Sequence, residues 1–330
     1  MTPVQSLLTT PQMQPAIDAF TEQANINLFV QREDLLHPIL SGNKWYKLKW
    51  NLVQARQLGY YTLLSFGGAY SNHIHALSAA GKLFGFKTIG VIRGDELADK
   101  SDNLLNPTLA DAKKNGMHLV YVSRAQYRNK ENSELLDTLK LRFGDFYCIP
   151  EGGNNILGIK GCAEMARPVL EKPNLVQEFS LGQRKEIWPD WICMASGTGC
   201  SIAGLVYGLT QQEQLRTKVL AVNVLKGAEY IESEIESQLS RLIPDTALAL
   251  RTRAQWLMNH DYHFGGYAKV RSELLDFMAW FSDQHRIALD QVYTGKLFYA
   301  VYDLLKKGFF IPGTNVVLIH SGGLQGARGL

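Results

Sequence analysis

Cysteine is scarce in this chain. Of 330 residues only four are cysteine, Cys148, Cys162, Cys193 and Cys200. None falls in a CxxC pair, which argues against a disulfide framework and against a zinc ribbon; they read as reduced thiols. Long apolar runs are also missing, since none reaches the ~18 residues that a membrane-spanning helix needs. The opening stretch MTPVQSLLTTPQMQPAID has neither the basic nor the apolar region of a secretory leader. No Lys/Arg-rich tract occurs, and a formal net charge of +3 makes no electrostatic case for a polyanion. The expectation is a soluble cytoplasmic protein with no nucleic-acid or membrane partner.

What is present is a repeated strand, loop, helix pattern. YTLLSF (61–66), KTIGVIR (87–93), HLVYVS (118–123) and FYCIP (146–150) are short apolar runs that read as buried parallel strands. Between them, HALSAAGKLFG has helical spacing and ends on Gly85, while PTLADAKKNG opens on Pro107 and closes on Gly116. A second set follows in DWICMAS (190–196), KVLAVNVL (218–225) and NVVLIHS (315–321), with GIKGCAEMARPVLE and IAGLVYGLTQQ as helices. The polar stretch 171–189 reads as an exposed loop. The pattern predicts two open twisted α/β domains with a cleft between them, residues 1–50 with 156–330 forming the larger and 51–155 the smaller.

Glycine-rich turns follow several strands. In SGTGCSIAG, Gly197, Thr198, Gly199, Cys200 and Ser201 lead from a strand into a helix, where backbone N–H groups and the helix dipole suit a phosphate. The third glycine of a dinucleotide fingerprint is missing and no P-loop lysine follows, so the turn suits a monophosphate or is a bare βα connection. FGGAYSNHIHA places Ser71 and Asn72 at a helix start, as a plain N-cap or as donors to a carboxylate or ring oxygen. His73 and His75 read as helix residues, and no metal pattern surrounds them. SGNKWYKLKW puts Lys44 after a turn among bulky apolar residues, with Lys47 one helical turn on; a lysine so packed can lose its proton and form a Schiff base. In LDQVYTGK, Tyr293 is core or functional, and Thr294 is placed to cap a helix beginning at Gly295.

Taken in order, REDLLHPILSGNKWYKLK, GGAYSNH, PEGGNNILGIKG, SGTGCSIAG, LDQVYTGK and HSGG resemble the 1-aminocyclopropane-1-carboxylate deaminase / D-cysteine desulfhydrase family, within the fold-type II (tryptophan synthase β-like) pyridoxal-phosphate enzymes. The resemblance runs from about residue 30 to the C-terminus. It implies pyridoxal 5'-phosphate in the interdomain cleft, an amino-acid substrate and a homodimer. It implies that Lys44 forms the internal aldimine and, once freed by substrate, takes the Cα proton. Lys47 and the Gly197–Ser201 turn would hold the phosphate, and Asn72 would bond the ring oxygen. Ser71 would meet the substrate carboxylate or act in proton transfer; Tyr293 matches the active-site tyrosine, and Tyr267, in HFGGYAK, matches a second.

The resemblance also bears on the reaction. Family deaminases carry Glu after the tyrosine, facing the pyridine nitrogen; here Thr294 is a neutral partner, as in the desulfhydrase branch, and SNH in place of SNQ agrees. This favours β-elimination from a D-amino acid such as D-cysteine. Ring-opening deamination of 1-aminocyclopropane-1-carboxylate, racemisation, and a non-catalytic cofactor-binding module are the alternatives. The chain departs from the family pattern at Tyr70, where Gln is usual, at His75, where Arg is usual, and at Trp45 and Tyr46 between the two lysines.

Overall fold

The computed structural model describes residues 10–98, 105–130, 132–170, 176–178, 184–186, 188–213, 216–253 and 255–328. In chain order the strands are β1 (Gln12–Pro15), β2 (Asn27–Arg32), β3 (Thr62–Gly67), β4 (Lys87–Arg93), β5 (Met117–Val122), β6 (Tyr147–Cys148), β7 (Val176–Glu178), β8 (Arg184–Glu186), β9 (Trp191–Ser196), β10 (Lys218–Asn223), β11 (Trp256–Asn259) and β12 (Asn315–Ile319). They divide between two compact units, Met1–Asn43 with Ile159–Leu324 and Lys44–Gly158 with Gln325–Leu330. The division differs from the expected ranges in three places: the first crossing falls after Asn43 and not after residue 50, the return falls after Gly158 and not after residue 155, and Gln325–Leu330 goes with the second unit. Residue 50 lies inside an unbroken helix, Asn43–Gln57, whose polar side chains hide the boundary at its first residue.

The first unit is built on a six-stranded sheet of order β1-β2-β12-β9-β10-β11. All pairs are parallel except β1 with β2. The central strands are buried on both faces, and so they read as continuous apolar runs in the sequence. On this sheet the helices Ser272–His285 and Thr294–Lys306 pack a dense aromatic layer, with Phe281 5.0 Å from Phe298 and 5.7 Å from Tyr302 between ring centroids. Because the strands are parallel, their carboxyl ends share one edge. The Gly197 turn after β9 and the Ser321 turn after β12 therefore open on the same side, where ligands of open α/β sheets bind.

The second unit holds a four-stranded parallel sheet, β5-β4-β3-β6. Its core includes Leu64, Phe66, Ile89, Val91 and Val122 from the strands, with Tyr127, Leu139 and Phe146. The helix Asn72–Phe84 follows β3 and ends as its sequence predicts, on Gly85 with φ 67°.

Three differences from the sequence reading stand out. Strands β1, β2 and β11 fall outside the apolar runs; β2 ends in Gln31, which donates to the distant Met165 O at 3.0 Å, and Arg32, which pairs with Asp34 at 2.7 Å, both buried. Within the expected loop 171–189, β7 and β8 form an antiparallel pair too short to show a period. GIKGCAEMARPVLE is not one helix but a helix Ile156–Cys162, a 3-10 segment Ala163–Ala166 and a further short helix. Among the described residues no helix is long and apolar enough to cross a membrane.

Candidate active site

In the first unit the glycine turn leads from β9 into a helix whose N-terminus is open. Gly199 is the N-cap of the twelve-residue helix Cys200–Gln211, and no side chain caps that end. Its φ of +79° favours glycine, and an added Cβ would lie 2.8 Å from Ile235, so the turn cannot take a side chain here. The helix thus presents its first N–H groups and its positive dipole end to whatever sits above them. Ser201 Oγ, in the first helical turn, accepts from Asn43 Nδ2 at 2.9 Å. The residue just before Lys44 is therefore tied to the phosphate-type turn. Gly42 is held as firmly: its N–H donates to Glu33 O at 2.8 Å, and Asn43 N–H donates to Ser321 O at 3.3 Å.

Tyr293 lies over the same turn, since a Cβ on Gly197 would be 3.2 Å from its ring. Its backbone is fixed by Asp290, a buried carboxylate. Asp290 Oδ1 accepts from the N–H groups of Val292 (2.9 Å) and Tyr293 (2.8 Å), and Oδ2 from the N–H (2.9 Å) and hydroxyl (2.7 Å) of Thr294. The Tyr267 ring meets that of Tyr293 edge-on, centroids 6.2 Å apart. Thr294 has no exposed surface, and its hydroxyl proton goes to Asp290. It does not cap a helix that starts after it; the helix Thr294–Lys306 begins on it. The expectation that it faces a ring nitrogen thus meets a buried side chain whose single donor is already used.

Lys296, one residue beyond Gly295, is fully buried and donates to His263 O (2.8 Å) and Gly266 O (2.7 Å). Burial pulls its pKa down to about 8, against an opposing pull from Asp290.

In the second unit the helix Asn43–Gln57 carries Lys44, partly buried, and Lys47, only 4% exposed. Trp45 beside them is buried against Phe84, centroids 5.8 Å apart. Ser71 acts as N-cap of the helix Asn72–Phe84, accepting from Ile74 N–H at 3.3 Å. Asn72 Oδ1 accepts from Gln325 Nε2 at 3.0 Å, which leaves its amide N–H groups as donors. His73 is buried, with Nε2 3.0 Å from Ser65 Oγ and Nδ1 without a partner. Burial first, then the charges of Lys44 and Lys47, lower its pKa to about 3 and keep it neutral. His75 takes another course, bonded to Asp111 (3.2 Å), which also binds Arg328.

The His73 shift has a measurable consequence. The unfolded chain takes up this proton near pH 6.5 and the native protein only near 3, so the contribution is complete above pH 6.5 and is lost as pH falls toward 3. Between pH 7 and pH 4.5 wild type should lose about 2 kcal/mol more stability than His73→Gln. Denaturant titration of both proteins at the two pH values measures it, and equal losses would refute it.

The first unit thus offers an uncapped helix end, and the second offers lysine amines and an amide donor. A sequence profile of the pyridoxal-phosphate dependent enzyme family matches residues 10–322. The chain belongs to that family. It is 28% identical over 306 residues to the Arabidopsis thaliana bifunctional D-cysteine desulfhydrase/1-aminocyclopropane-1-carboxylate deaminase, mitochondrial, covering 91% of this chain and 73% of that protein. To the D-cysteine desulfhydrase of Serratia proteamaculans it is 25% identical over 299 residues, 90% of this chain and 86% of the other. A crystal structure described as that of an ACC deaminase homologue superposes with a TM-score of 0.78 at 24% identity, covering 98% of this chain and 92% of its own. The fold is that of the fold-type II pyridoxal-phosphate enzymes, and the cofactor is pyridoxal 5'-phosphate.

The residues present fit that cofactor. The uncapped helix end suits its phosphate, the lysines of the Asn43–Gln57 helix supply amines, and Asn72 supplies an amide donor. Of the seven buried side-chain polar atoms without a partner among the described residues, two are His73 Nδ1 and Ser196 Oγ, the latter just before Gly197. Among the described residues no cluster of three or more His, Cys, Asp or Glu could hold a metal ion. Sequence reasoning passed over Asp290 and Lys296 and read His73 as a helix residue.

Proposed function

We propose that this enzyme catalyses β-elimination from a D-amino acid, with D-cysteine as the first candidate. The observation that carries the reading is the commitment of Asp290. The one carboxylate of the Tyr293 turn is bonded to three N–H groups and the Thr294 hydroxyl, so none is left to keep a pyridine nitrogen protonated. Ring opening of a cyclopropane asks for that stronger electron sink, whereas expelling a thiolate from Cβ asks for less.

In this reading bound pyridoxal phosphate supplies the electron sink that makes the substrate Cα–H acidic. Lys44 Nζ would hold the cofactor and, once freed by substrate, would take the Cα proton. Lys47 and the N–H groups of Gly197–Ser201 would hold the phosphate. Asn72 would donate to the cofactor ring, and Ser71 with its neighbouring N–H groups would receive the substrate carboxylate. Tyr293 and Tyr267 handle proton transfer at the substrate. Thr294 serves by closing the Asp290 turn. The Cβ–S bond breaks with the electrons leaving on sulfur; water then releases ammonia from the unsaturated amine, so that D-cysteine and water give sulfide, pyruvate and ammonia. A homodimer belongs to the same proposal and is read by sedimentation.

The relatives' names favour one second reading, deamination of 1-aminocyclopropane-1-carboxylate to 2-oxobutyrate. A keto-acid assay across D-cysteine, L-cysteine and 1-aminocyclopropane-1-carboxylate separates the two. We expect kcat/KM for D-cysteine to exceed that for the cyclopropane substrate by about 100-fold or more, a difference of roughly 3 kcal/mol in transition-state binding. Faster 2-oxobutyrate formation than sulfide release would transfer the assignment to the second reading.

A further inference from the structure

We propose that Lys296 is a positioning residue: its buried amine fixes the loop that carries Tyr267 and so sets the Tyr267–Tyr293 pair. The proposal rests on the reading above, in which both tyrosines act on the substrate. Lys296 has no exposed surface and donates to the carbonyls of His263 (2.8 Å) and Gly266 (2.7 Å), which bracket Phe264 and Gly265 just before Tyr267. That loop is not one that adopts its shape by default. Phe264 has φ 56° and Ala268 φ 54°, both in the left-handed region that L side chains avoid. Strain of this kind persists only where contacts outside the segment over-determine it.

The two carbonyls already accept backbone N–H groups, from Gly266 to His263 O (3.0 Å) and from Lys269 to Gly266 O (3.1 Å). Lys296 adds to each the one bond that comes from another element, the helix Thr294–Lys306. The same helix start is anchored on its other side by Asp290, which holds the Tyr293 and Thr294 backbone. One rigid helix end thus fixes Tyr293 through Asp290 and Tyr267 through Lys296, and the rings meet edge-on. Neither bond needs the charge, because a neutral amine keeps two N–H donors for the two carbonyls. Lys296 does not touch the reacting atoms in this account; it acts through Tyr267, which is 43% exposed and meets Tyr293 edge-on.

The test compares wild type with Lys296→Met, of similar shape but without donors, and Lys296→Gln, a neutral side chain with two N–H donors. Amide hydrogen exchange is followed across 263–270 in protein without substrate, and kcat and KM are measured with D-cysteine. We expect Lys296→Met to speed exchange in that loop about 10-fold or more and to lower kcat roughly 10- to 100-fold, with cofactor content near wild type and KM changed less than kcat. Lys296→Gln should recover most of both. Wild-type exchange and kcat in Lys296→Met would overturn the proposal, and so would a Lys296→Gln protein as impaired as Lys296→Met. If Lys296→Met does not fold, Lys296→Gln alone decides, since retained loop protection without charge supports the donor role and lost protection refutes it. A wild type that releases no sulfide from D-cysteine sinks the functional reading instead, and the exchange arm still judges the loop.

Discussion

Lys44→Ala leaves a protein that folds, loses the visible absorption of bound cofactor and turns over D-cysteine at least about 10⁴-fold more slowly than wild type. The size follows from two roles lost together, the amine that holds the cofactor and the base at Cα, of which acid–base work alone is worth about 10²–10⁴. Folding should survive. Lys44 opens the helix Asn43–Gln57 at a partly buried position, and alanine is a better helix former than the lysine it replaces. Circular dichroism and a sulfide assay on the same sample check both halves. Residual turnover within 10-fold of wild type would mean that another amine does the chemistry. Because neighbouring Lys47 is assigned to the phosphate, Lys47→Ala should mainly weaken cofactor affinity.

Gly42→Ala should cost about 3 kcal/mol or more of stability and scatter the start of the Lys44 helix. Two effects combine at this position. Its φ of +68° strains any L side chain, and an added Cβ would stand 2.0 Å from the carbonyl oxygen of Ser321. That oxygen is backbone, in the turn after β12, and it accepts from Asn43 N–H, so it has no free direction of retreat. The segment before Lys44 must then move, breaking the Asn43–Ser201 bond that ties it to the anion-binding turn. Thermal and denaturant melts should show the loss, and cofactor affinity should fall with it. A stable Gly42→Ala protein with wild-type cofactor binding would show that the Gly42–Ser321 contact does not position Lys44.

The parallel strands were legible because they are buried on both faces. TLLSFG, KTIGVIR and WICMAS are short apolar runs bounded by turn residues, the pattern of a strand buried on both faces. Strand β2 was not legible: Gln31, Arg32 and the following Glu33 are buried, and a window of sequence cannot foresee that. The first crossing between units, at Asn43/Lys44, lies within the first turn of the continuous helix Asn43–Gln57, and the expected boundary at residue 50 lies further along that helix.

At the site, the sequence named the glycine turn, Lys44, Lys47, Asn72 and the tyrosines as parts of a known pattern; the structure shows that turn leading from β9 into a helix and Ser71 capping the helix Asn72–Phe84. It could not name Lys296, because the carbonyls it bonds lie 33 and 30 residues away. Nor could it see that Asp290 uses both carboxylate oxygens on its own turn, which changes Thr294 from a free hydroxyl into part of a closed hydrogen-bond ring. His73 looked like an ordinary helix residue. Its neutrality comes from full burial beside two lysines, a property of packing that only the fold creates.

The account rests on one amine carrying the cofactor. Holoenzyme treated with borohydride, digested and mapped by mass spectrometry locates that amine directly. A single phosphopyridoxyl-bearing peptide with the modification on Lys44, absent from Lys44→Ala, is the predicted result. Modification confined to Lys47, Lys296 or any other lysine, or none in a protein that has bound the cofactor, would contradict it.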